Sequence, residues 1–135
     1  MCLGVSQENL IIRIGVDVIS INRIKRAVEK GGERFLHRVF SERELEYCFG
    51  SGFPYEKLAG RFAAKEAVFK ALGHASRRHL GWKGVEIEDD GSGIKVALNE
   101  VLFKLLEEKG AKNILLSLSH DRTSDVAIAV AILLG

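Results

Sequence analysis

At 135 residues, with 47% hydrophobic and 28% charged content, the chain has the composition of an ordinary globular domain and enough length for a core. A net charge of +2 is too mild to point to nucleic acid by itself, and the two cysteines, Cys2 and Cys48, form no CxxC or Cys/His cluster, which suits a reduced, cytoplasmic setting. No apolar run reaches membrane length, and the N-terminus lacks both a basic region and a signal core. Without internal repeat or linker, residues 1–135 read as one domain, with 1–9 a short irregular extension.

Leu10–Ile21 is rich in β-branched residues and predicts a strand. Asp17 interrupts it directly after Gly15-Val16. An aspartate there is either a cap for the coming helix or a carboxylate held by a rigid strand at a cation site. Ser20–Lys30 predicts a helix with Ile21, Ile24 and Val28 inward and Arg23, Arg26 and Lys30 in a basic stripe. Gly31-Gly32 is expected to break it, and Arg34 and Arg38 continue the positive run around Phe35. Such a stripe is either a solvated face or a docking surface for an acidic partner. Ser41 and Glu44 form a capping box, which gives Glu44 a structural role at the start of a helix reaching about Phe49.

The loop 50–54 leads into the most distinctive stretch, Gly60 to Gly73. Alanine, phenylalanine, leucine and long charged chains predict a helix, ended by Gly73. Leu58, Phe62, Phe69 and Leu72 make a bulky apolar face, and Ala59, Ala63 and Ala67 a small one that permits close approach. A helix apolar nearly all round belongs inside the domain. Its charges are therefore the anomaly. Glu66 and Lys70, spaced i,i+4, read either as a solvated pair or as half-buried groups that need partners from elsewhere in the chain.

His74 and His79 lie in a basic loop with no neighbouring cysteine, a weak zinc signal. Lys83–Asp89 and Gly93–Leu98 predict a hairpin, Asn99 caps a helix ended by Gly110, and Ile114–Ser119 and Asp125–Leu134 predict two more strands. The last alternates large aliphatics with alanines, as expected of an interior strand packed on both faces. Ser119-His120-Asp121 is not a catalytic triad, because adjacent residues of an extended chain point to opposite sides. The order β-α-α-α-β-β-α-β-β predicts an α+β fold, a largely antiparallel sheet packed against helices.

Asp17, Glu66 and Lys70 thus sit at rigid places, with Arg61 and His120 as further donors. Two carboxylates from separate elements suit Mg²⁺, which takes few protein oxygens beside water and substrate phosphates. Neither a Walker A sequence nor a GxGxxG after a strand is present.

Gly15-Val16-Asp17-Val18 with Arg23-Ile24, the block from Arg38 to Leu45, the block from Arg61 to Gly73, and Leu116-Ser117-Leu118-Ser119-His120-Asp121 with Ala127 and Ala129 follow one another in order. Together they resemble the holo-acyl-carrier-protein synthases, and cover most of the chain from about Ile14. The resemblance implies the 4′-phosphopantetheinyl transferase fold. It also implies transfer of phosphopantetheine from coenzyme A to a serine of apo-acyl carrier protein, with release of adenosine 3′,5′-bisphosphate, for fatty acid biosynthesis. By it Asp17 and Glu66 ligate Mg²⁺ and act with Lys70 in catalysis. Lys70 holds the pyrophosphate, and Arg61 and His120 contact the nucleotide phosphates. Arg23, Arg26 and Phe35 dock the carrier's acidic helix. A homotrimer with sites between subunits is implied too, and would account for a helix without a wet face; no membrane or nucleic acid is involved.

The chain departs from the pattern after Gly73, where His74-Ala75-Ser76-Arg77 stands in place of a glycine-rich turn, and at Gly91-Ser92-Gly93, where the family has Gly-Lys-Pro. A nucleic-acid-binding module is the rival reading. An RNA-reading sheet needs aromatic residues on its strands, and here every aromatic falls on a predicted helix or loop.

Overall fold

The computed structural model describes residues 10–50, 52–73 and 81–135. They run β1 (Ile11–Ile19), α1 (Ile21–Val39), α2 (Glu42–Phe49), α3 (Tyr55–Leu72), a 3-10 turn (Trp82–Gly84), β2 (Val85–Asp89), β3 (Ile94–Leu98), α4 (Glu100–Glu108), β4 (Asn113–Asp121) and β5 (Val126–Leu134). The expected α+β order is present. β1, β5 and β4 form one antiparallel sheet in that spatial order, and β2 and β3 form a separate hairpin. Residues 1–9 and the altered loop at 74–80 lie outside the described residues.

The small residues of α3 and of the sheet dictate how the two meet. Ala127, Ala129 and Ala131 of β5 are buried on the face that receives α3, as are Ala63 and Ala67 of the helix. Gly15 of β1 completes the seam. A Cβ there would collide with the carbonyl of Ala67 and lie 2.7 Å from the amide nitrogen of Ala71. Strand and helix backbones therefore touch with no side chain between them. Arg13 fastens the same contact from outside, its Nε donating to the carbonyl of Ala71 at 2.8 Å.

α3 is dry within its own chain. Leu58, Val68, Phe69 and Leu72 are buried along with its alanines, each large side chain contributing about 1.5–3 kcal/mol. The helix thus needs no neighbouring subunit to explain its lack of a wet face, contrary to one expectation from the sequence.

The break expected at Gly31-Gly32 is present: Gly32 takes φ 55° and ψ −141°, outside the helical region, so α1 is two helical stretches joined across a kink. The second runs to Val39 because Leu36 and Val39 fill the core beside Phe40. One other expectation is corrected: β5 is interior by pairing but is packed on one face only. Its alanines are buried, while Ile128 is 38% exposed, beside Val18 of β1 in register. With Ile14 and Val16 of β1 and Leu115 of β4, also exposed, it forms a broad apolar sheet face. A solvated antiparallel face normally alternates to polar residues; a contiguous apolar one marks an interaction surface.

The α2 start carries the capping box the sequence predicts, with Glu44 Oε1 accepting from the amide of Ser41. Glu44 does more than cap. It is buried, its Oε2 accepts from the amide of Ile87 at 2.9 Å, and Oε1 lies 2.7 Å from Lys65 Nζ. Lys65, wholly buried, also donates to the carbonyls of Trp82 and Val85. This one pair links α2, α3 and β2. Burial pushes the Lys65 ammonium's pKa down against the pull of Glu44.

Candidate active site

The inner face of β1, the start of α1 and one flank of α3 enclose a cavity of ≈ 210 Å³. Asp17 enters from β1, Glu66 from α3 and Arg23 from α1, over an apolar floor that includes Ile24, Phe35 and Phe62. The alternation of β1 sends Asp17 to the side of Gly15 and Ile19, towards α3. Glu66, 8% exposed, stands where the bulky and small faces of α3 meet. Lys70, one turn on, reaches back to β1. Its Nζ is 2.9 Å from Asp17 Oδ1 and 3.0 Å from the carbonyl oxygen of Val16. Lys70 thus has its partner on the first strand.

α1 begins where it does because its cap is built from a distant turn. Ser20 Oγ accepts from the amide of Arg23 and donates to Asp125, whose other carboxylate oxygen accepts from the amide of Asn22 at 2.7 Å. These bonds hold the Asp125 carboxyl below the usual carboxylate range. Asp125 has φ 54°, the one non-glycine residue with positive φ among those described. Its constraint fixes the first turn of α1, and with it Arg23. Arg26 is exposed one turn further along.

Arg61 and His120 are not in this cavity. Arg61 is five residues before Glu66, about 140° around the helix, and faces α2. It is 3% exposed, its guanidinium lies 4.2 Å above the Tyr47 ring, and Nε and Nη2 have no hydrogen-bond partner. A second cavity opens there, with Arg43 and Asp89 in its wall. His120 is on β4, the opposite edge of the sheet from β1. Its Nδ1 is 3.0 Å from Glu56 Oε1, and Arg122 donates to Glu56 Oε2 at 3.0 Å. The Arg122 bond, helped by His120, holds the Glu56 carboxyl below its ordinary range.

Glu56, Arg122 and Asp125, and the place of Phe62 in the cavity, are not legible as site features in the sequence. Only the last carried a signal, as a large apolar residue one turn before Glu66. Asp121 bonds the amide of Thr123 and the hydroxyl of Ser124 within its own turn, in line with rejection of a triad. Burial pushes the Cys48 thiol up to about 12, so it supplies no thiolate at neutral pH.

The model of the 4′-phosphopantetheinyl transferase superfamily matches residues 13–131. The chain is 44% identical over 118 residues to a holo-[acyl-carrier-protein] synthase of Chlamydia trachomatis, covering 87% of this chain and 97% of that protein. It is 48% identical over 118 residues to that of Chlamydia muridarum, covering 87% and 92%. Among solved structures it is similar to the holo-[acyl-carrier-protein] synthase of Neisseria meningitidis, with TM-score 0.78, 32% identity, and 93% and 100% of the two chains covered. The Helicobacter pylori synthase in complex with coenzyme A gives TM-score 0.75, 29% identity, and 89% and 98% coverage. Matched over nearly its whole length, the chain belongs to the 4′-phosphopantetheinyl transferase superfamily, in its holo-[acyl-carrier-protein] synthase family.

Proposed function

We propose that this protein transfers 4′-phosphopantetheine from coenzyme A to a serine of apo-acyl carrier protein, releasing adenosine 3′,5′-bisphosphate, in the cytoplasmic supply of carrier protein for fatty acid synthesis. The observation that carries this reading is the meeting of Asp17 and Glu66 in one cavity, with Lys70 bonded to Asp17 and Arg23 at the rim. The serine Oγ attacks the phosphorus that bears the pantetheine arm, its hydroxyl proton passing to water, and the bond from that phosphorus to the bridging pyrophosphate oxygen breaks. The nucleotide leaves with its bond electrons.

Asp17 and Glu66 fit a hard divalent cation. They are oxygen donors on two rigid elements that line one cavity. Bound there, Mg²⁺ would supply charge neutralisation for the pyrophosphate oxygens. Lys70, 36% exposed, can hold a pyrophosphate oxygen without leaving Asp17. Arg23 and Arg26, with Phe35 beside them, present cations and an apolar ring to an acidic helix.

Arg61, with donors to spare, and His120 would meet the nucleotide phosphates from the other edge of a neighbouring copy. Two observations support a shared site: the donors lie away from the carboxylates, and the apolar sheet face needs a cover. A head-to-tail ring of three copies satisfies both. Sedimentation equilibrium is expected to give three times the chain mass, and Val16→Glu to give monomers; a monomeric wild-type protein would discard the shared site.

The five strands described carry no Phe, Tyr or Trp, and their one histidine, His120, is paired with Glu56, which leaves an RNA-reading sheet without a stacking platform. The deciding experiment is intact-mass measurement of apo-acyl carrier protein incubated with this protein, coenzyme A and Mg²⁺. A gain of one phosphopantetheine group, lost with EDTA, is expected. A gain that survives EDTA removes the metal from the proposal; no gain with several carriers and folded protein removes the reaction.

A further inference from the structure

Trp82 is the chain's one tryptophan, and it is held in place with unusual care. Its carbonyl accepts from the buried ammonium of Lys65 at 3.2 Å, and Lys65 is itself fixed by Glu44 and by the carbonyl of Val85. The indole lies against Phe62, with ring centroids 4.8 Å apart and planes tilted by 32°. Phe69, in the core, meets the indole edge-on at 6.1 Å. The 3-10 turn that carries Trp82 packs on α1, the helix of the basic stripe.

Phe62 alone of these three rings lines the cavity of Asp17 and Glu66. It forms the floor there with Ile24, Ala27 and Phe35. Trp82 stands behind it, so the depth of the floor is set by where the indole stops Phe62. An amphipathic acidic helix laid along Arg23 and its basic neighbours must put an apolar side chain somewhere, and this floor is the apolar surface between the cations and the carboxylates.

We propose that Trp82 is a positioning residue for the carrier protein: braced by Glu44–Lys65 and stacked behind Phe62, it sets the depth of the slot that takes an apolar side chain of the carrier's acidic helix. The proposal rests on the transferase reading above. Trp82 is not among the residues that line the cavity with Asp17 and Glu66. Its removal lets Phe62 fall back into the vacated space, and the contact with the carrier loosens.

The test is steady-state transfer by the full-length protein with carrier protein and coenzyme A varied separately. Trp82→Ala is expected to raise KM for the carrier roughly five- to tenfold, the upper range for loss of an aromatic pair. KM for coenzyme A and kcat stay within about twofold on the same reasoning, and Trp82→Phe, which restores a stacking ring, recovers most of the loss. Wild-type tryptophan emission, read during titration with a tryptophan-free carrier, is expected to shift and to saturate with carrier binding, and not with coenzyme A alone. An unchanged carrier KM in folded Trp82→Ala, or a loss confined to kcat, overturns the proposal. So does carrier binding that leaves the emission untouched, a measurement that stands even if Trp82→Ala does not fold. A wild-type protein that transfers nothing defeats the transferase reading instead, and the emission titration then still reports whether the carrier docks at this slot.

Discussion

Asp17→Ala and Glu66→Ala are each expected to lower transfer by about a thousandfold or more while leaving the fold intact, since the charge stabilisation lost is several kcal/mol. Asp17→Asn should be nearly as damaging, because the amide keeps the shape and loses the charge. For Asp17 the structural cost is small. Asp17 and Lys70 form a pair with side chains 14% and 36% exposed, and partly solvated pairs of this kind are worth about 0–1 kcal/mol. Circular dichroism and thermal midpoint, taken beside the mass assay, separate chemistry from folding. Either alanine variant retaining transfer within about tenfold of wild type would end the assignment of that carboxylate to the metal.

Lys65→Met is expected to act in the opposite way, on stability. It leaves Glu44 as a buried carboxylate without its counter-ion, and breaking such a pair from one side costs about 3–5 kcal/mol. It also strands the carbonyls of Trp82 and Val85. The double replacement Glu44→Gln with Lys65→Met should cost clearly less than the sum of the two single ones, because no lone charge remains. Denaturant midpoints at constant slope read all three. A Lys65→Met protein within about 1 kcal/mol of wild type would show that the ion pair does not brace the turn at Trp82.

Much of this arrangement was open to a reader of the sequence. Asn99, Gly73 and Gly110 end or begin helices through local chemistry that a few residues contain, and their caps are where that chemistry puts them. Asp17 and Glu66 were legible as oddities, polar groups in apolar surroundings. What could not be read was anything decided by a distant partner. Gly32 interrupts α1 as its sequence suggests, yet a helix resumes beyond it because the core takes Leu36 and Val39. The capping box accounts for one oxygen of Glu44 and hides the other. Lys65 is adjacent to Glu66 in sequence, yet it points into the core. The floor of the cavity takes Phe35 and Phe62 from separate helices, a pairing that no single stretch contains.

The contact at Gly15 has a consequence for how the site can change over time. Most walls of the cavity can be reshaped by exchanging one side chain for another, a leucine for a methionine or an arginine for a lysine. The spacing between the elements that carry Asp17 and Glu66 has no such dial, since two backbones abut there and any Cβ would strike a carbonyl. Variation can therefore reach the proposed carrier slot in small steps, while the separation of the carboxylates shifts only if the strand or the helix moves bodily. Drift is free at the rim of this site and stalled at its centre.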